Sequence, residues 1–217
     1  MLKIMIVDDH ELVRTGLSRM LQDVRGLEVI AEAASGEEAI ELAREDEPDV
    51  VLMDLRMPGM GGLEATKKLV RYFDAIKVIA VTAYEEEPFP SRVLQAGAVG
   101  YVTKGAGIDE MVRAIRVVKA GQHYISPHIA QAMALKAYTG TASPMEVLSE
   151  RELQVMTLII NCHKVQEIAD QLYLSPKTVN TYRYRIYEKL GVESDVEMTI
   201  LAIRHGMVDV GLIDAIE

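Results

Sequence analysis

The sequence predicts an α/β domain built on a five-stranded, doubly wound parallel sheet, followed by a small all-α domain of four helices. Two patterns carry this expectation. Through residues 1–120, short β-branched runs alternate with segments of helical spacing, whereas from Leu148 onward only helical spacing remains. Length and composition agree: 217 residues, 49% apolar and 26% charged, suffice for two small cores and exclude wholesale disorder.

The strand-like runs are 2–7, 29–33, 50–53, 78–81 and 101–102, each with the length and apolar content of a buried parallel strand. Leu12, Val13, Leu17, Met20, Leu21 and Val24 recur at helical intervals and predict one apolar stripe for the first helix. Ser35-Gly36-Glu37-Glu38 reads as a capping box that opens the second. The acidic run Glu85-Glu86-Glu87, followed by Pro88-Phe89-Pro90, is expected to delay the fourth helix and form a solvated loop. Ile108, Met111, Val112, Ile115 and Val118 supply the stripe of the fifth. Residues 129–137 have the composition of a helix belonging to either side, and 138–144 are small, polar and breaker-rich. Four helical blocks follow at 150–161, 165–172, 176–190 and 195–205. The expected division is therefore a first domain over 1–122, a linker region with a helix over 123–147, and a second domain over 148–210.

In an open parallel sheet, ligands lie beyond the carboxyl ends of the strands. Those ends carry Asp8 and Asp9, Asp54, Thr82 and Lys104. Three carboxylates on one edge repel one another unless a cation sits among them, and all-oxygen ligation suits Mg²⁺. A metal, Lys104 and Thr82 together could neutralise the oxygens of a phosphoryl group, with Asp54 as nucleophile. An Asp-Asp pair alone is more often a solvated turn, but five matching residues at the ends of four strands outweigh that reading.

Val7-Asp8-Asp9-His10, residues 51–59 around Asp54, Ala80-Val81-Thr82-Ala83 and Gly100-Tyr101-Val102-Thr103-Lys104 resemble the receiver domains of two-component response regulators. The resemblance implies that Asp54 accepts a phosphoryl group from a sensor histidine kinase. It implies that Asp9, Asp54 and the Arg56 backbone carbonyl bind Mg²⁺, with Asp8 acting through water. It further implies that Thr82 and Tyr101 form a switch pair, Tyr101 turning inward as the Thr82 hydroxyl moves to the phosphoryl oxygens. One departure is that Gly105, not proline, follows Lys104, so no cis-proline turn is carried over.

In the second part, Ser175 with Pro176 marks a strong helix start. Val179, Tyr182, Ile186 and Leu190 should face a core, leaving Lys177, Asn180, Thr181 and Tyr184 on the opposite face with Arg183 and Arg185 beside them. Residues 175–190 carry a net +3 inside a chain of net −10. Such a helix, entered through a short helix and turn, is what a helix-turn-helix DNA reader presents, although a solvated surface helix fits the charge equally well. Leu148-Ser149-Glu150-Arg151-Glu152, Ile168-Ala169 and Leu174-Ser175-Pro176-Lys177-Thr178-Val179-Asn180 resemble the four-helix LuxR-type DNA-binding domain. Receiver plus this domain is similar to the NarL/FixJ class, and stretches such as 62–66, 94–98, 121–126 and 202–206 to its GacA/UvrY/VarA branch. The branch implies a hybrid sensor kinase of the BarA/GacS kind, double-stranded DNA at promoters of small regulatory RNAs, and a homodimer on that DNA. Expected DNA contacts are Lys177, Thr178, Asn180, Thr181, Arg183, Tyr184, Arg185 and Lys189.

A net charge of −10 taken whole argues against nucleic acid, but its distribution does not: residues 1–125 hold 15 basic against 21 acidic residues, part of the excess being the Asp8, Asp9 and Asp54 cluster. The single cysteine, Cys162, excludes an intramolecular disulfide and a Cys-rich zinc site. Its lack of partners and the absence of a membrane-length apolar run suit a cytoplasmic protein. Two rival readings are a phosphatase or mutase with an aspartyl-phosphate intermediate, and a phosphotransfer module whose tail packs on a partner. The first expects a second acid two residues after the nucleophile, where this chain has Arg56. No enzymatic activity is expected beyond the chain's own phosphoryl transfer and dephosphorylation.

Overall fold

The computed structural model describes residues 1–83, 88–139 and 143–207. The chain divides into two compact units, one ending at Gln131 and the other beginning at Ala132. The first unit holds strands β1 (Leu2–Val7), β2 (Leu27–Ala33), β3 (Val50–Met53), β4 (Lys77–Thr82), β5 (Gly100–Thr103) and β6 (Tyr124–Ile125). All pair in parallel in the order β2-β1-β3-β4-β5-β6. Between them run α1 (Glu11–Gln22), α2 (Gly36–Glu45), α3 (Gly61–Tyr72), α4 (Phe89–Gln95) and α5 (Ile108–Lys119).

Alternation along the strands divides the apolar side chains between two faces. Ile4, Ile6, Val50, Leu52, Ile79, Val81 and Val102 form one core with Leu21 of α1 and Met111, Ile115 and Val118 of α5. Val51, Met53, Val78 and Ala80 alternate with these and are also fully or almost fully buried, as are Ala39, Ala43, Ala65, Leu69 and Val93 on α2 to α4. The sheet is thus covered on both sides, as a continuous apolar strand sequence requires.

Three local details depart from the pattern the sequence suggests. A sixth strand, β6, pairs with β5 through Gly100 and Tyr101. At two residues it is too short to show a period, and it falls in the stretch expected to be linker. The α1 stripe is narrower than expected: Leu21 is fully buried, but Leu12 is 85% exposed and Met20 half exposed. At 100° per residue Leu12 and Leu21 lie on opposite sides of the helix, so one core cannot take both. At α2, Ser35 accepts the Glu38 N–H at 3.2 Å, while Glu38 returns its bond to Ala34 rather than to Ser35. The acidic loop expected at 85–87 and part of the breaker-rich stretch, 140–142, lie outside the described residues.

Helix α6 (Pro127–Thr139) leads to the second unit, where a 3-10 turn (Pro144–Val147) precedes α7 (Glu150–Ile160), α8 (Val165–Gln171), α9 (Pro176–Leu190) and α10 (Asp195–Arg204). Met145, Leu153, Met156, Ile168, Leu172, Val179, Ile186, Met198 and Ala202 are buried and form its core. Serine caps start three of these helices: Ser149, Ser175 and Ser194 each accept a backbone N–H from three residues on. The α7 cap is a full capping box, in which Glu152 accepts the Ser149 N–H at 2.7 Å.

Glu152 also ties α7 to α9, since Lys189 Nζ lies 2.7 Å from the same carboxylate. The Glu152 side chain is 4% exposed, and its burial alone would raise its pKa. The bonds from Lys189 and Ser149 outweigh that and lower it. A carboxyl whose folded pKa is depressed adds stability above its ordinary pKa and loses it as pH falls through the folded value. Glu152→Gln is therefore expected to cost about 1–2 kcal/mol near pH 7. Thermal unfolding followed by circular dichroism should show the gap from wild type closing as pH drops below the ordinary carboxylate range. A gap independent of pH would refute the assignment.

Candidate phosphoryl-transfer site and helical reading face

The strand order reverses direction at β1, which has β2 on one side and β3 on the other. Crossovers diverge there and leave a crevice at the carboxyl ends of the strands. Asp8 and Asp9 follow β1, and Asp54 follows β3. Asp54 is fixed by its own backbone, its N–H donating to the Val7 carbonyl at 2.8 Å. Its Oδ1 accepts the Arg56 N–H at 3.2 Å.

Lys104, delivered by the end of β5, places Nζ 2.6 Å from Asp8 Oδ2 and 2.7 Å from Asp54 Oδ2. Both carboxylates are almost completely buried. Burial pushes the Asp54 carboxyl above its ordinary pKa, and the nearby Asp8 charge adds to this, despite the opposing Lys104 ammonium. Burial would lower the Lys104 pKa, but Asp54 and Asp8 outweigh it and raise it. Asp8 is held further by the His10 N–H on its Oδ1 at 2.9 Å and by Arg14 Nη1 on its backbone carbonyl at 2.6 Å.

Asp8, Asp9, His10 and Asp54 each offer a ligand atom, all within 4.8 Å of one another. His10 Nδ1 approaches Asp9 Oδ1 at 2.8 Å, but its hydrogen bond goes to Asp8 Oδ1 at 3.3 Å. Asp9 Oδ1 is buried and accepts no hydrogen bond from any described residue. A buried carboxylate oxygen without a donor is the kind of group a cation satisfies, so the residues present fit a metal ion. Thr82, at the end of β4, lines the same cleft with His10, Val13, Asp54, Arg56, Ala83 and Lys104. Thr82 and Tyr101 are both fully buried, the Tyr101 ring lying inward. The sequence did not single out Arg14, whose role becomes visible only when α1 is folded back over β1.

The α9 residues fall into two groups. Lys177, Thr181, Tyr184 and Arg185 are exposed, and Thr178 and Asn180 half-buried. Arg183 and Lys189 are held by carboxylates within the unit. The Arg183 guanidinium donates to both Asp195 oxygens, with Nε 2.8 Å from Oδ1, and Tyr187 donates to that Oδ1 at 2.5 Å. Lys189 is engaged by Glu152 as described. These two residues thus join α9 to α10 and α7, which neither charge nor spacing revealed.

A parallel sheet with a cationic bridge among aspartates, in one chain with a helix-turn-helix unit, defines a receiver joined to a DNA-binding effector. The response regulator receiver domain family matches residues 4–116, and the luxR family of bacterial regulatory proteins matches 146–202. Response regulator GacA of Pseudomonas aeruginosa is 63% identical over 211 residues, covering 96% of this chain and 99% of its own length. Response regulator UvrY of Escherichia coli K12 is 53% identical over 209 residues, covering 95% and 96%. Among solved structures, a LuxR-family response regulator from Aurantimonas sp. is 42% identical over 63% of this chain and 97% of its own, with a TM-score of 0.61. The RcsB response regulator of Salmonella typhimurium shares the fold over 96% of this chain and 98% of its own, with a TM-score of 0.73 and 24% identity. The chain belongs to the response regulators with a LuxR-type DNA-binding domain, in the GacA/UvrY branch. Among the described residues no helix is long and apolar enough to cross a membrane.

Gly62, in the first turn of α3, sits so close to the phosphoacceptor loop that a Cβ there would overlap the Asp54 carbonyl and crowd Leu55. The Gly62 N–H also donates to the Leu55 carbonyl at 3.3 Å. Gly62→Ala is expected to destabilise the first unit by about 1–3 kcal/mol, as overpacking does. It should also slow phosphorylation by acetyl phosphate, measured by Phos-tag electrophoresis, through displacement of Asp54. Wild-type stability and wild-type phosphorylation together would overturn this.

Proposed function

We propose that phosphorylation of Asp54 by a sensor histidine kinase controls promoter binding by α9. The observation that supports it is the buried Asp54 carboxylate, bridged by Lys104 to Asp8 and next to an Asp9 oxygen that accepts no hydrogen bond from the described residues. An Asp54 oxygen attacks the phosphorus of a phosphohistidine; the P–N bond breaks and the imidazole leaves with the bond's electron pair, taking a proton. Burial weakens hydration of the Asp54 carboxylate and so favours its attack. Lys104 moves with the charge, since its ammonium already touches Asp54 Oδ2 and can follow to a phosphoryl oxygen. Asp9, Asp54 and the Arg56 carbonyl would hold Mg²⁺, with Asp8 behind a water. When bound, the ion supplies positive charge against the phosphoryl oxygens. The charge balance favours a divalent ion: three carboxylates and one ammonium leave a net −2 in the crevice.

Thr82 and Tyr101 serve as the switch pair, and the inward Tyr101 is the arrangement that phosphorylation should favour. The chain acts catalytically only on itself, in acquiring the phosphoryl group and in hydrolysing it. In the second unit, α8 and the following turn present α9 to the major groove. Lys177 and Arg185 contact phosphates, Asn180 reads an adenine edge, and Thr178, Thr181 and Tyr184 contribute further contacts. Arg183 and Lys189 were expected to contact DNA directly; their ion pairs instead favour a role in setting the pose of α9. Membership of the GacA/UvrY branch supports a hybrid kinase of the BarA/GacS kind, small-RNA promoters as targets, a homodimer on DNA and a cytoplasmic location. The connection between receiver and DNA-binding domain, expected over 123–147, starts later than that, because β6 (Tyr124–Ile125) pairs in the receiver sheet and the first unit runs to Gln131.

Beryllofluoride with Mg²⁺ should tighten binding of the full chain to a small-RNA promoter fragment, measured by fluorescence anisotropy, and Asp54→Asn should abolish the response. An equal response in Asp54→Asn would sink the switch. Lys177→Ala should weaken all sequences alike and reduce the salt slope by about one. Asn180→Ala should relax preference at one base pair, and equal losses on specific and random DNA would refute its reading role.

A further inference from the structure

Helices in this chain repeatedly end in one geometry: a residue of left-handed conformation, with the next N–H donating back five residues to a carbonyl in the last turn. Glycine fills that residue at Gly97, Gly121, Gly191 and Gly206, with closing bonds from Ala98, Gln122, Val192 and Met207 of 2.9–3.2 Å. Among the described residues the non-glycine exceptions are Cys162 (φ 63°) and Tyr173 (φ 53°), which end α7 and α8. A tyrosine there is strained, because its Cβ crowds the neighbouring carbonyl.

Among the described residues no hydrogen bond or ion pair of the Tyr173 side chain repays that strain. Its neighbours fix the turn: Leu174 N–H reaches the Ala169 carbonyl at 2.8 Å, and Arg151 Nη2 clamps the Leu172 carbonyl at 2.6 Å. Leu172 is buried and Leu174 half-buried, whereas Tyr173 is 80% exposed. Its hydroxyl has no partner among the described residues. Glycine or asparagine would complete the same turn with less strain. A large phenol at such a position, 80% exposed, leaves its hydroxyl free for a contact outside the chain.

We infer that Tyr173 is a DNA-backbone contact, its phenol O–H donating to a phosphate oxygen at the edge of the groove that α9 enters. The inference rests on the reading of α9 as the groove-entering helix. Tyr173 stands two residues before Ser175, the cap of α9. The N-terminal residues of such a helix contact base edges while the helix before it crosses the backbone, and Tyr173 lies at the junction of the two, at the end of α8. Phosphate oxygens only accept hydrogen bonds, which suits a donor hydroxyl. The contact carries no sequence information and, being uncharged, releases no counterion.

The test uses the full chain with beryllofluoride and Mg²⁺. Its probes are a duplex that the chain itself selects from a random pool and a scrambled duplex of equal length. Tyr173→Asn should raise the thermal midpoint while weakening both duplexes about threefold to tenfold, the range of one hydrogen bond. Tyr173→Phe should weaken both with no change in the midpoint, and the salt slope should stay that of wild type in both variants. Lys177→Ala separates this inference from the one beneath it. Weakened Lys177→Ala with unaltered Tyr173→Asn and Tyr173→Phe overturns the Tyr173 contact alone; unaltered binding in all three overturns the reading of α9. Weaker binding with a lowered midpoint in Tyr173→Asn would make the residue structural and also overturn the contact.

Discussion

The carboxylates of Asp8, Asp9 and Asp54 stand within 4.8 Å of one another at one end of a sheet whose interior is apolar. At an effective dielectric of ~20, each pair at that separation repels by roughly 3–4 kcal/mol. Lys104 makes the cluster tenable, because its ammonium contacts Asp8 and Asp54 together. The bridge joins residues delivered by β1, β3 and β5, so its geometry depends on the register of the whole central sheet. The Asp54 N–H on Val7 and the Lys104 N–H on Thr82 fix those ends at 2.8 and 2.9 Å. Apolar packing beneath the edge therefore acts as a positioning device for charge.

The same bridge makes the site responsive. Lys104 neutralises only part of the negative charge, and Asp9 Oδ1 accepts no hydrogen bond among the described residues, although His10 Nδ1 lies 2.8 Å away. A rigid, fully compensated cluster would offer nothing to an incoming cation or phosphoryl group. Thr82 ends the strand beside β5, which carries Tyr101 directly opposite Ala80. A change in charge at Asp54, at the end of β3, is thus separated from the buried Tyr101 ring on β5 by the single strand β4.

Much of this was legible in the sequence because it is local. Strand runs, the cap at Ser175 and the aspartates at strand ends follow from short-range pattern and one topological rule. What was illegible depends on distance or on backbone conformation. Strand β6 has two residues and is recognisable only by its partner β5. Leu12 looked like core because apolar residues near it were core, yet its angular position puts it in solvent. The Lys189–Glu152 pair spans 37 residues and the Arg14 bond to Asp8 needs α1 in place. Tyr173 carries no glycine signal, so its left-handed turn is apparent only in the folded chain.

Charge on α9 shows how strongly such pairings alter a reading made from composition. Four basic residues and one acid give the segment its net +3, which suggests a helix that grips phosphate by charge. Asp195 and Glu152 engage Arg183 and Lys189, so among the described residues only Lys177 and Arg185 on this helix lack a carboxylate partner. Each phosphate contact contributes a similar increment to salt-dependent affinity, so two free cations on an acidic chain give weak nonspecific attraction. Selectivity on this helix therefore has to rest more on base edges and uncharged contacts than on charge, because tertiary pairing with α7 and α10 has already taken half of its cations.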